Sequence, residues 1–229
     1  MGRTTGQLTF DLPHLTARGA DDFMVGLTNQ AASALVEQWP EWPGPGVALQ
    51  GPAGVGKSHL CCIWAERSQA IIVAARDVNG ASIAQLLDAP AVAVEDLDRG
   101  IGDEQALFHL LNHAKGQRTY VLATLRTEPG EIVVTLPDLR SRLRALPVVR
   151  IERPDDGLLH VLMVKLFADR QLNVDPSVIK YLSTHMDRSA EAAAAAVGEI
   201  DRIALATHKK VTPALAGQAL RNLSHAKIA

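Results

Sequence analysis

Short apolar runs of strand length recur along the first two thirds of the chain, at 47–50, 70–74, 91–94, 120–124 and 148–151. They are continuous rather than alternating, as strands buried on both faces must be, and longer helical segments separate them. That arrangement predicts a five-stranded parallel sheet with helices on both faces. The clearest helix lies at 104–115, where Ala106, Leu107, Leu110, Leu111 and Ala114 recur at i, i+3 and i+4 spacing. Another helix is expected from Asp21 to about Gln38, with Ala31, Ala34 and Leu35 as its apolar face. Segment 39–46 holds three prolines and two glycines and reads as a rigid connection. From Arg153 the pattern changes: no strand run follows, and helical segments fall near 155–169, 176–186, 189–207 and 213–223. Pro176 and Pro213 stand where prolines start helices, and the 192–196 alanine run is a good helix former. The expected organisation is an extended tail over 1–18, an α/β core over 19–152 and a small all-helical domain over 153–229.

The first strand run leads into Gly51-Pro52-Ala53-Gly54-Val55-Gly56-Lys57-Ser58, a complete G-x-x-x-x-G-K-[ST] phosphate-binding loop between a strand and a helix. Glycines let the backbone curl so that successive N–H groups face phosphate oxygens, and the following helix directs its positive end at the same charge. Lys57 can reach the β- and γ-phosphates, and the Ser58 hydroxyl can join a magnesium shell. The third strand run ends in Glu95-Asp96. Carboxylates at that point are the expected second magnesium element: Glu95 holds Mg²⁺ through water and Asp96 polarises an attacking water. The usual order is Asp then Glu, so both reaches change, which leaves magnesium binding intact and puts efficient hydrolysis in doubt. Thr124 ends the next strand beside these acids, where a hydroxyl can read the γ-phosphate or water, or cap a turn. The basic stretch 137–144 reads as a short helix with Asp138 as its N-cap. An exposed arginine on it either is a solvated charge or enters a neighbour's nucleotide site. Arg188, at the start of the alanine-rich helix, could close over phosphates.

Composition narrows this picture. Lys and Arg number 23 against 25 Asp and Glu, which gives no global basic footprint of a DNA-coating protein and no expectation of sequence-specific DNA binding. No apolar run is long enough for a membrane span, the first residues lack a signal-peptide pattern, and a cytoplasmic location is expected. Cys61 and Cys62 are adjacent and read as small packing side chains of the first core helix. His109 and His113 have metal-capable spacing but lack the Glu of H-E-x-x-H, so surface histidines are expected.

Taken in order, these elements resemble an AAA+ ATPase module, and more closely the ATPase part of the bacterial replication initiator DnaA. The stretch 22–29, with Phe23, Val25, Gly26 and Asn29, is similar to the segment that cradles adenine in that family. Residues 51–60, His59 included, match its phosphate loop, and 107–112 are similar to the helix after its second motif. Within 139–143, Arg142 is the best match to the arginine finger. Arg188 falls at the second sensor of the lid, while Leu125 stands where an acidic first-sensor residue is expected. The family's initiators continue into a C-terminal DNA-binding domain, whereas this sequence ends after the lid. The hexamer Gln7-Leu8-Thr9-Phe10-Asp11-Leu12 resembles the peptide that docks replication proteins on the DNA polymerase sliding clamp, with Gln7, Leu8, Phe10 and Leu12 as its contact residues. A truncated initiator-like ATPase with that peptide resembles the Hda family of DnaA-related regulatory inactivators. The resemblance implies an ADP- or ATP-binding negative regulator of replication initiation that uses Mg²⁺, docks on the clamp, and presents Arg142 in trans to DnaA–ATP. It also implies weak intrinsic ATPase activity, and self-association as a homodimer is consistent with it. The alternatives are a helicase loader or stand-alone ATPase acting on single-stranded DNA, which calls for a basic groove, and a small P-loop kinase, which leaves the finger helix unexplained.

Overall fold

The computed structural model describes residues 19–116 and 119–226. Its core is one five-stranded parallel sheet: β1 (Gly46–Gln50), β2 (Ile71–Ala74), β3 (Ala91–Glu95), β4 (Tyr120–Leu125) and β5 (Val148–Arg150), in the spatial order β2-β3-β4-β1-β5. All five expected strands form, each within a residue or two of its apolar run. The connecting helices are α1 (Gln30–Glu37), α2 (Lys57–Ser68), α3 (Ile83–Asp88), α4 (Glu104–Lys115) and α5 (Pro137–Arg144). Strand side chains alternate between faces, and the packing follows that parity. Val47, Leu49, Ala91, Ala93 and Leu122 pack with α1 and α2 around Trp64. Ala48, Val92, Val94, Val121, Ala123 and Leu125 pack on the opposite face with α3, α4 and α5. Two covered faces explain why the runs show no polar alternation.

The remaining helices, α6 (Asp156–Asp169), α7 (Pro176–His185), α8 (Ala190–Thr207) and α9 (Pro213–Ala226), gather around their own apolar centre. Phe167, Met163, Leu182 and Ile200 fill it, and small residues on α8 (Ala193, Ala196) allow close helix approach. The N-termini of three of these helices are capped by side chains. Asp155 accepts from the Leu158 N–H (2.7 Å), Asp175 from Ser177 (2.8 Å) and Ser189 from Ala192 (3.1 Å). The lid meets the core through Lys165, whose amine reaches Asp22 at 2.7 Å, and through the Glu191 N–H, which lies 3.3 Å from the Gly54 carbonyl oxygen.

Two expectations are corrected. The first helix does not begin at Asp21: Ala20–Asp22 form one 3₁₀ turn, 23–29 form a loop, and α1 starts at Gln30. The side chain of Asn29 accepts from the Gly26 N–H (2.8 Å) and donates to the Met24 carbonyl (2.9 Å), so local side-chain bonds take the backbone groups a helix would need. The buried face of α1 is accordingly Ala32, Ser33, Leu35 and Val36; Ala31 is exposed and Ala34 half-buried. Nor does Asp138 cap α5, whose N-cap is Leu136 with no side-chain bond. Pro137 occupies the first helical position, and the approach is held from outside by Glu104, which accepts from the Thr135 N–H (2.9 Å) and the Leu136 N–H (2.6 Å).

Candidate nucleotide-binding site

In a parallel sheet the C-terminal strand ends converge on one edge, where ligands collect. Here that edge gathers the phosphate loop after β1, Glu95-Asp96 after β3, and Thr124 with the residues after β4. Gly51 begins the loop. Its N–H donates to the Leu125 carbonyl (3.1 Å), and a Cβ at this position would lie 2.3 Å from the Ile151 carbonyl oxygen. Gly54 and Gly56 carry φ of +74° and +101°, the left-handed region that glycine enters freely. A Cβ on Gly56 would also come within 2.9 Å of the Phe23 ring. Lys57, buried at the start of α2, folds its amine onto the Gly51 and Pro52 carbonyls at 2.6 and 2.7 Å. Burial, and then the positive charge of Arg126, push the pKa of that amine below the ordinary lysine value.

Beside the loop lies a partly open cleft. Phe23, Met24, Asn29, Val55, Gly56 and His59 line its core side, and Leu158, Leu162 and Ala190 close it from the lid. Phe23 packs edge-on to His59, ring centroids 5.3 Å apart. Asn29 is buried, and its amide shapes the 24–26 loop as well as lining the cleft. Gly26 supports the cleft from behind, since a Cβ there would touch Leu158 at 3.2 Å, and Val25 is 55% exposed and outside the lining. The apolar walls and the adjoining cationic loop fit a flat base joined to a polyphosphate.

The donor set for a cation is also present. Ser58 is exposed at the loop, and the Glu95 Oε1 atom is buried without a hydrogen-bond partner, an oxygen that a magnesium-bound water would satisfy. Asp96 sits in the left-handed region (φ +57°); its N–H donates to the Thr124 hydroxyl (3.0 Å) and its carboxylate lies 3.4 Å from Arg99. Thr124 therefore stands against the carboxylate turn with its hydroxyl already accepting a bond, and Leu125 is fully buried in the core.

Arg188 and Arg142 have different surroundings. The Arg188 guanidinium pairs with Asp156 at 2.8 Å and with the Pro154 carbonyl at 3.3 Å, and it lines an open groove with His160 and Lys180. At the start of α8, Ser189 and Glu191 border Gly54 of the phosphate loop, Glu191 through its N–H as well. Arg142 is half-buried on α5. Among the described residues no hydrogen bond or ion pair engages its side chain, whereas Arg140 donates to the Val134 carbonyl at 2.6 Å. Gln7, Leu8, Phe10 and Leu12 fall outside the described residues. Sequence reasoning missed Arg126, Asp98 and the lid wall of the cleft. Arg126 was findable, because it follows the 120–124 run by two residues; Leu158 and Leu162 carry no local signal. His109 is exposed, and no His/Cys/Asp/Glu cluster able to hold a metal occurs among the described residues. Nor is any described helix long and apolar enough to cross a membrane.

No protein-family model matches the chain. It is 23% identical over 230 residues to the chromosomal replication initiator protein DnaA of Lachnoclostridium phytofermentans, across 89% of this chain. It spans about half (51%) of that relative's length. In three dimensions it is similar to domain III of the Thermotoga maritima replication initiation protein DnaA, with a TM-score of 0.77 at 16% identity, covering 90% of this chain and 96% of that one. It is also similar to AMPPCP-bound DnaA from Aquifex aeolicus (TM-score 0.69, 19% identity, 82% and 65% covered). A third likeness is to the Thermotoga maritima RuvB Holliday junction branch migration motor (TM-score 0.69, 14% identity, 90% and 72% covered). The chain thus has the AAA+ fold: a five-stranded parallel P-loop core followed by a helical segment, in the DnaA-like form.

Proposed function

We propose that this chain is an adenine-nucleotide-binding regulator of DNA replication initiation, of the Hda type, which acts on the initiator DnaA. ADP or ATP occupies the cleft and phosphate loop: the base lies against Phe23, and the phosphates rest on the 51–58 backbone and Lys57. Ser58 and, through water, Glu95 would hold Mg²⁺, which would neutralise phosphate charge. The chain's own residues are poorly set for hydrolysis. Asp96 is drawn toward Arg99, Thr124 is committed to the Asp96 N–H, and Leu125 offers no polar atom. The nucleotide serves chiefly to shape the protein, and ADP suffices for that.

Activity is exerted in trans. The observation that carries this reading is Arg142: a half-buried arginine on a short, well-anchored helix, without a side-chain partner among the described residues. Leu139 and Leu143 bury the adjoining face of α5 and anchor the helix that carries Arg142. A planar cation so presented can stabilise charge on a transferring phosphoryl group in a partner's site, an effect of roughly 10³–10⁵ in rate where it is complete. The tail hexamer would bring the chain to the sliding clamp, with alternate apolar side chains entering a pocket.

The test uses purified DnaA loaded with ATP, clamp assembled on DNA, and this chain with ADP. Accelerated hydrolysis of the initiator's ATP is expected. Arg142→Ala abolishes it while leaving ADP and clamp binding unchanged, and Gln7→Ala with Leu8→Ala abolishes clamp binding. No acceleration by the unaltered chain overturns the reading, and full acceleration by Arg142→Ala overturns the finger assignment.

A further inference from the structure

A cation that none of these roles uses stands at the phosphate end of the site. Arg126 is the first residue after β4, the strand between β1 and β3 and so between the phosphate loop and the carboxylate turn. The residue before it, Leu125, is paired with Gln50 of β1, and its carbonyl receives the first N–H of the phosphate loop, from Gly51 at 3.1 Å. Arg126's own N–H donates to Asp98 Oδ1 at 3.1 Å. Its backbone is therefore clamped on one side to the loop and on the other to the acidic turn.

The side chain, in contrast, is uncommitted. It is exposed, and among the described residues neither a hydrogen bond nor an ion pair engages its guanidinium, although Asp96 and Asp98 are close by in the fold. An exposed guanidinium without a partner, on a backbone tied to the phosphate loop, is free to bind an anion held there. Arg188, the other arginine suited to the terminal phosphate, is paired with Asp156.

We infer that Arg126 is a phosphate-contacting residue of this chain's own nucleotide site, one that binds the terminal phosphate from the end of β4. This rests on the nucleotide-binding reading of the phosphate loop and deepens it. Where a polar first-sensor side chain would stand, the chain has buried Leu125, and the neighbouring arginine supplies the contact instead. A point charge at this edge discriminates by phosphate count, because each additional phosphate brings negative charge nearer to it.

The experiment is fluorescence titration of the full chain with N-methylanthraniloyl ADP and with the corresponding non-hydrolysable ATP analogue, for the unaltered protein, Arg126→Ala, Arg126→Lys and Lys57→Ala. Arg126→Ala is expected to weaken the triphosphate at least tenfold and the diphosphate no more than threefold, with Arg126→Lys intermediate. Lys57→Ala should lose both ligands. Thermal melting of each nucleotide-free variant separates a binding loss from a folding loss, and an exposed arginine should leave the melting temperature unmoved. Equal effects on the two ligands, or no effect of Arg126→Ala while the unaltered protein binds, overturn the role of Arg126 alone. Failure of the unaltered protein to bind either ligand overturns the phosphate-loop reading and this inference together.

Discussion

Single residues set the terms of the candidate site. At Gly51 the restriction is backbone against side chain: a methyl group would sit 2.3 Å from the carbonyl oxygen of Ile151, whose own N–H is bound to the Gln50 carbonyl just past β5. Gly51→Ala is expected to destabilise the fold by about 2 kcal/mol, the scale of overpacking a rigid site, seen as a lower urea midpoint at unchanged slope. Lys57 gives a pH signature of opposite sign in two measurements. Its amine is held below the ordinary lysine value of 10.5 by burial and by Arg126. As pH rises through that lowered value the charge is lost, so ADP affinity should fall at a pH below 10.5. In the same window the unfolded chain holds a proton the folded one has released, so the stability of the nucleotide-free protein should rise with pH. Arg126→Ala should move the affinity midpoint upward. The loop motif was legible in sequence because every fixed position of it is chemical. Thr124 beside Asp96 was legible too, from strand order, whereas the partner of Arg188 was not, because Asp156 reaches it from 32 residues away.

Among the elements, α4 and α5 show how local and distant signals combine. The periodicity of α4 located it to the residue, and Asp103 closes its N-terminus by accepting from the Gln105 and Ala106 N–H groups at 2.8 and 3.2 Å. Asp103→Ala should cost about 1 kcal/mol of stability, measurable by denaturant unfolding. The first residue of α4, Glu104, then reaches forward to hold 135–136 at the entry of α5, and those backbone N–H groups keep its carboxyl below the usual range. Glu104→Ala should speed hydrogen exchange over 134–137 and weaken the trans activity of Arg142, while leaving Leu139 and Leu143 buried. Protection unchanged at 134–137 would show that the apolar anchors alone position the finger helix. The misread start of α1 has the converse cause. Propensity over 21–29 permits a helix, but Asn29 bonds to Gly26 and Met24, and that loop is then pressed against Leu158 of α6.

At the scale of the whole molecule, core and lid have separate apolar centres and share the cleft between them. The side chain that ties them is that of Lys165, bonded to Asp169 on its own helix and to Asp22 of the core, beside the backbone bond from Glu191 to Gly54. Lys165 holds the Asp22 carboxyl below its ordinary value, so the tie is present above that value and lost as pH falls through the lowered one. Saturation with ADP at 100 times its dissociation constant should add about 2.7 kcal/mol of stability. Asp22→Asn should reduce the accompanying rise in melting temperature more than it lowers the melting temperature of the free protein. An undiminished rise would mean that the apolar contacts of Leu158 and Leu162 close the cleft unaided. The sequence by itself determined the element order, the parallel sheet buried on both faces, the phosphate loop and the helical second part. Each of these follows from periodicity, turn chemistry or a contiguous motif, which are properties of neighbouring residues. Only the tertiary structure decided which strand ends meet, that Arg126 stands by Lys57, that Arg188 is held by Asp156, and that Glu191 meets the loop. Those contacts are made by strand order and lid packing across long stretches of chain, where no local pattern carries them.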